Sequence, residues 1–323
     1  MRRPELVAGA RRQWPRGPNR RAVHCVAALI LSMIFGRIDE TLARDGTDCL
    51  DTETALDYWR PIRARAATSD LPADQLAIEL VACLASPDPE LRDRIGYELF
   101  TYWLRGGKLA DTTRRTLLFA LSPLLDNPAH SATLARSFAA LVLAELMRSD
   151  AVLPFMTANE RDRLLAAGLA ALQREDDFRG LEPDIGWVHP LAHMADLLWR
   201  FALHPDTTPD QARDILVAIR AKVAPTAVFY SFNEGDRLAR VAVVLFERRL
   251  VAAEDAVAWL TTFETPYSVQ RWPDAFESRE GMAELHNTRQ FLRALSDQSQ
   301  GMDIDQQVKT NLEALVARFT ALI

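Results

Sequence analysis

The chain has 323 residues, 49% hydrophobic and 25% charged, with 13 Gly, 17 Pro, 3 Cys and a net charge of -6. That composition excludes collagen-like, disulfide-dense and wholly disordered chains, and the length permits one elongated domain or two compact ones. Eight arginines and three carboxylates occupy the first 43 residues, so the remainder holds 30 of the 38 basic and 41 of the 44 acidic side chains, an acidic body poorly suited to nucleic acid.

In chain order, the Arg-rich start is followed by an apolar run from Ala22 to Phe35 and then by Thr41-Leu42-Ala43. A charged segment, a short apolar segment and small residues before a cut predict a signal peptide over residues 1–43, hence a periplasmic or secreted mature chain. The alternative is translation from Met33 and a cytoplasmic protein. The apolar run is too short to span a bilayer and no later run approaches it, so the mature chain has no expected transmembrane span. No lipobox precedes Cys49. Cys25 would leave with the signal, whereas Cys49 and Cys83 either pair in an oxidising space or leave Cys83 as a buried free thiol. The absence of C-x-x-C removes a zinc knuckle or a thioredoxin-like site.

From residue 51 the periodicity is helical almost throughout. After an N-terminal extension over 44–75, a single helical domain is expected over 76–323. The predicted helices are 51–67, 73–85, one opened by Ser86-Pro-Asp-Pro89 and ended after Arg105 by Gly106-Gly107, 111–125 and 130–149. Capping boxes at Thr157-Ala-Asn-Glu160 and Thr208-Pro-Asp-Gln211 start two more, and others follow over 190–203, 234–250, 253–262, 277–296 and 303–322. No stretch shows the alternation of a strand, so the chain reads as all-α. About a dozen helices joined by short loops favour stacked antiparallel pairs in a HEAT-like α/α superhelix. The long connections over 175–189 and 264–277 are where function would concentrate.

G-x-S-x-G, H-E-x-x-H, P-loop and G-x-G-x-x-G signatures are absent. What stands out is the helix entered at His189. On a wheel of about 100° per residue, His189, His193, Asp196 and Arg200 fall within roughly 60° of one another, and apolar residues fill most of the rest. A polar stripe so narrow faces a buried network or a cavity. Pro190 makes His189 the N-cap or its neighbour. Asp93 lies among Tyr97, Phe100 and Leu104 and requires a partner, with Arg92, Arg136, His193 or Arg179 in reach. Glu234 sits at a helix N-terminus on the side of Leu238, Val241 and Leu245, where the helix dipole favours an anion.

Leu91-Arg-Asp-Arg-Ile-Gly-Tyr-Glu-Leu99, Ala135-Arg-Ser-Phe138, Asp177-Phe-Arg-Gly180, Gly186-Trp-Val-His189, Ala192-His-Met-Ala-Asp-Leu-Leu198 and Glu234-Gly-Asp-Arg-Leu238 resemble the bacterial family catalogued as domain of unknown function 2785. The resemblance runs from about Leu76 to Leu295. Its most specific part is Gly-Trp-x-His-x-x-x-His-x-x-Asp, and Pro190 departs from the small residue expected after the first His. It implies a shared helical domain and polar centre and brings no reaction with it.

Three readings follow. In the first, a metal-dependent or acid–base hydrolase uses His189, His193 and Asp196 as ligands of a divalent metal such as zinc or as proton-transfer groups, with Glu175, Asp177 or Asp93 as a second carboxylate and Trp187, Arg179, Arg200 and Glu234 as binding residues. In the second, a non-enzymatic superhelical module receives a small molecule, peptide, glycan or partner protein, with Trp187, Trp199, Trp272 and Tyr267 as contact aromatics. In the third, His193, Asp196, Arg200, Asp177 and Arg179 satisfy one another as a structural network under an acidic loop from Glu175 to Asp184.

Overall fold

The computed structural model describes Cys49 and residues 51–67, 71–225 and 228–322; the expected signal segment lies outside them. Helices α1 (Thr52–Arg65), α2 (Ala73–Glu79), α3 (Glu98–Arg105) and α4 (Asp111–Leu121) open the chain. They are followed by α5 (Thr133–Val152), α6 (Ala158–Arg174), α7 (Pro190–Leu203) and α8 (Pro209–Lys222), then α9 (Glu234–Glu247), α10 (Ala253–Thr261), α11 (Arg279–Ser299) and α12 (Gln306–Ala321). The all-α class expected from the sequence is the class observed.

Both capping boxes form. The Thr157 hydroxyl accepts from the Glu160 amide at 3.2 Å while the Glu160 carboxylate accepts from the Thr157 amide at 2.7 Å. Thr208 and Gln211 repeat the exchange at 3.2 and 2.9 Å, with Pro209 as the first helical residue. Elsewhere the winding departs from the expected continuous helices. Residues 73–85 finish as a 3-10 segment, Leu80–Ala85, and 111–125 as another, Ser122–Asp126, where Pro123 withholds the amide that the α-ladder would use. The helix expected from Ser86 to Arg105 begins as a π-helical turn, Glu90–Tyr97, before α3.

The expectation of no strand is corrected by a small ribbon. β1 (Leu181–Glu182) pairs antiparallel with β2 (Gly186–Trp187), Leu181 opposite Trp187 and Glu182 opposite Gly186. Two residues per strand are too few to show alternation in sequence. Gly186 closes the turn at φ 73°, a conformation costly for other residues.

Helices α3, α5, α7, α9 and α11 pack successively against one another, while α4, α6 and α12 pack on α5, α7 and α11. The α5 surface is buried along almost its whole length. Phe138, Leu143 and Met147 of α5, Leu191, Met194 and Phe201 of α7, and Leu238, Val241 and Leu245 of α9 belong to one core. Burial of each such side chain contributes about 1.5–3 kcal/mol. Cys49 and Cys83 form a disulfide, with Cα atoms 5.0 Å apart, so of the two states left open by the sequence the paired one is realised.

Candidate functional site

The site is built where the ribbon meets the start of α7. Pro190 disfavours a right-handed α conformation in the residue before it, and His189 adopts the left-handed one at φ 41° and ψ 46°. Its carbonyl still accepts from the His193 amide at 3.1 Å, so both histidines issue from the same turn, with ring centroids 6.0 Å apart.

Each ring has a distinct environment. His193 Nδ1 lies 2.7 Å from the Ser137 hydroxyl of α5, which donates to the Val188 carbonyl at 2.6 Å. With that proton committed, Ser137 accepts from Nδ1–H, and the lone pair of His193 is on Nε2. Phe138 meets the His193 ring edge-on at 5.1 Å. Burial holds His193 well below the ordinary histidine range, assisted by His189, Arg237 and Arg92.

His189 is 7% exposed, and its Nε2 has no hydrogen-bond partner, the Glu234 carboxylate standing 3.8 Å away. Burial, then the Arg237 charge, lowers its pKa to about 4 against a small opposing effect of the Phe232 backbone. Trp187, 44% exposed, stacks on this ring at 5.2 Å, and Phe232 contacts both rings edge-on. Phe232 owes its place to Gly180, because a Cβ there would come within 2.1 Å of the Phe232 ring. The Phe232 amide in turn donates to Glu234 at 2.9 Å.

The remaining candidates separate into pairs. Asp196 is bound by Arg237 at 2.8 and 2.6 Å, and burial nevertheless raises its carboxyl above the usual range, outweighing that cation. Glu175 receives Arg136 at 2.8 and 2.9 Å. Asp177 receives Arg179, at 2.9 Å from Nε; burial pushes this carboxyl up, but the arginine's hydrogen bonds bring it below its ordinary value. Asp93 takes Arg92, at 2.7 Å, as its partner, and desolvation keeps its carboxyl raised. Fully buried Arg92 also donates to the Ile185 and Trp187 carbonyls at 2.8 and 3.2 Å, fastening the ribbon to the π-helical turn. Arg200 reaches Glu145 at 3.3 Å.

The expected ligand triad of His189, His193 and Asp196 therefore does not assemble. Among the described residues no three His, Cys, Asp or Glu side chains converge as a metal-binding group. The partners expected for His193 and Asp196 beneath the loop from Glu175 to Asp184, namely Asp177, Arg179 and Asp93, are likewise replaced, by Ser137 and Arg237. Trp187 forms the cover, over His189. Trp199, named above as a contact aromatic, is partly buried and carries the Arg200 and Arg240 guanidiniums on its ring at 4.3 and 3.3 Å. Trp272 is buried and its indole donates to the Phe263 carbonyl at 3.0 Å, whereas Tyr267 is exposed.

Ser137, Phe232 and Arg237 escaped the sequence reading. Two of them lay inside motifs that carried the resemblance, Ala135-Arg-Ser-Phe138 and Glu234-Gly-Asp-Arg-Leu238. The model of the family described as protein of unknown function, DUF2785, matches residues 122–296. The chain belongs to this family. No curated protein and no solved structure matches it. The DUF2785 match includes Ser137, the ribbon, both histidines, Asp196, Phe232, Glu234 and Arg237, while Arg92 and Asp93 precede it.

Proposed function

We propose that this DUF2785 protein is a non-catalytic ligand-binding module whose recognition centre is the Trp187–His189–Phe232 cluster. The observation that carries this reading is the buried Nε2 of His189, without a hydrogen-bond partner beneath an exposed indole. Buried polar atoms are ordinarily paired, and an orphan calls for a group that arrives from outside. A ligand that displaces Trp187 and pairs with Nε2 supplies that group, and the displaced indole then packs against it. The successive helix packing suits a HEAT-like superhelix, an architecture that presents extended binding surfaces.

The hydrolase reading has less support. Asp196, Asp177, Glu175 and Asp93 are each engaged by an arginine, and a histidine held near 4 is a weak base at neutral pH. We further propose that the chain is exported. The Cys49–Cys83 disulfide supports this, since such bonds persist in oxidising compartments.

A thermal-shift screen of small molecules, glycans and peptides tests the binding reading. Stabilising compounds should lose their effect in Trp187→Ala and His189→Gln, while ester, amide, phosphate and glycoside reporters should show no turnover with or without added zinc. Turnover abolished by His189→Gln would establish the hydrolase instead.

A further inference from the structure

Beyond the His189 cluster, a second group of charges spans four helices. Arg105 ends α3, Glu145 and Arg148 belong to α5, Asp196 and Arg200 to α7, and Arg237 and Arg240 to α9. Their mutual influence is direct. Glu145 feels Arg105, Arg200 and Arg148, and Arg240 feels Asp196, Arg237 and Arg200. Five guanidiniums thus surround two carboxylates, in a chain whose net charge is -6. Arg105 grips Glu145 at 2.7 and 2.6 Å, and Arg237 grips Asp196. Both carboxylates are thereby occupied. Arg148 and Arg240 have no hydrogen-bond or ion-pair partner among the described residues.

Arg240 is nevertheless held in place. Its guanidinium lies 3.3 Å from the centre of the Trp199 ring, which the Arg200 guanidinium also contacts. Stacking on an aromatic face restrains the planar group while leaving its in-plane N–H edges free, the geometry that a carboxylate or phosphate accepts in bidentate fashion. Burial lowers the pKa of Arg200 and of Arg240; the Glu145 and Asp196 carboxylates oppose this, and repulsion by the neighbouring arginines adds to it. An arriving anion relieves that repulsion.

We infer that the face formed by Arg200, Arg237 and Arg240 around Trp199, with Arg148 beside Arg200, is a binding site for a multiply charged small anion, one bearing carboxylate or phosphate groups. Its recognition rests on guanidinium edges, and it stands on this face alone without requiring a ligand at His189.

Isothermal titration at low ionic strength with citrate and with inorganic pyrophosphate tests it. At least one probe should bind the full chain. Arg240→Gln and Arg148→Gln should each weaken that binding about tenfold, the scale of one charge-assisted hydrogen bond. Arg249→Gln, whose partner is the distant Asp303, should bind as the wild type does, and thermal unfolding should show all three variants folded. Preference for citrate identifies a carboxylate ligand, and preference for pyrophosphate a phosphorylated one. The inference is overturned if neither probe binds the wild type, or if both arginine variants bind as tightly as it does.

Discussion

Arg237 holds Asp196 through a single nitrogen, its Nη1 donating to both carboxylate oxygens at 2.8 and 2.6 Å. The pair joins α7 to α9 and turns the Asp196 carboxylate toward the next helix, away from the ligand set it was expected to complete with the histidines.

Arg237→Met should therefore destabilise the protein by about 1–2 kcal/mol. It strands a carboxylate only 17% exposed, while the 41% exposure of Arg237 limits what the pair contributes. Asp196→Asn should cost less, and the double variant less than the two combined, as coupled neighbours do. Urea denaturation of the three proteins measures this; strictly additive losses would show that the pair does not act as a unit.

Acidification should unfold the protein by way of His189. Its folded pKa of about 4 lies below the ordinary 6.5, so the unfolded chain binds the extra proton between these values. Stability is complete above about pH 6.5 and falls by roughly 3 kcal/mol as pH drops to 4, with buried His193 adding in the same direction. Denaturation midpoints at several pH values should follow that slope in the wild type and flatten in His189→Gln. An imidazole NMR titration placing His189 above pH 6 would contradict it.

Gly180→Ala should disturb the recognition centre from a distance. The new methyl group collides with the Phe232 ring, which must leave Trp187 and His189. A loss of about 1–3 kcal/mol is expected, with a changed Trp emission spectrum. Gly107→Ala meets nothing within 4 Å and pays only for its φ of 62°, about 1 kcal/mol. Equal emission spectra for the two variants would remove Phe232 from its assigned role.

Reduction should loosen the attachment of α1. The Cys49–Cys83 bond closes a separation of 34 residues, for which chain entropy gives about 3–4 kcal/mol. Intact-mass measurement should find two hydrogens fewer before reduction than after, and Cys83→Ala should melt at the lower temperature of the reduced wild type. Free thiols in protein recovered under oxidising conditions would refute the bond.

Local signals were the legible ones. Thr157-Ala-Asn-Glu160 and Thr208-Pro-Asp-Gln211 each contain their whole capping interaction within four residues, so the sequence alone located those helix starts. The stripe of His189, His193, Asp196 and Arg200 was also visible, because helical spacing fixes which side chains share a side. Its partners were not. Arg237 lies 41 residues beyond Asp196, and Ser137 lies 56 before His193, distances over which periodicity says nothing. The ribbon escaped because each strand is two residues long, and the Cys49–Cys83 pair stayed one of two open states because pairing of cysteines depends on how distant segments meet.

Helix α5 carries polar anchors along its length. Arg136 binds Glu175, Ser137 binds His193, Glu145 takes Arg105 and Arg200, Ser149 takes Arg114, and Asp150 takes Arg161 and His204. Between these anchors its surface is largely alanine and leucine, which would pack acceptably after a slide of one turn. The anchors would not survive such a slide, since each would be pulled from a separate neighbour at once. They act on α5 as the wards of a lock act on a key, admitting one axial position and rejecting the near misses that an oily rod would tolerate.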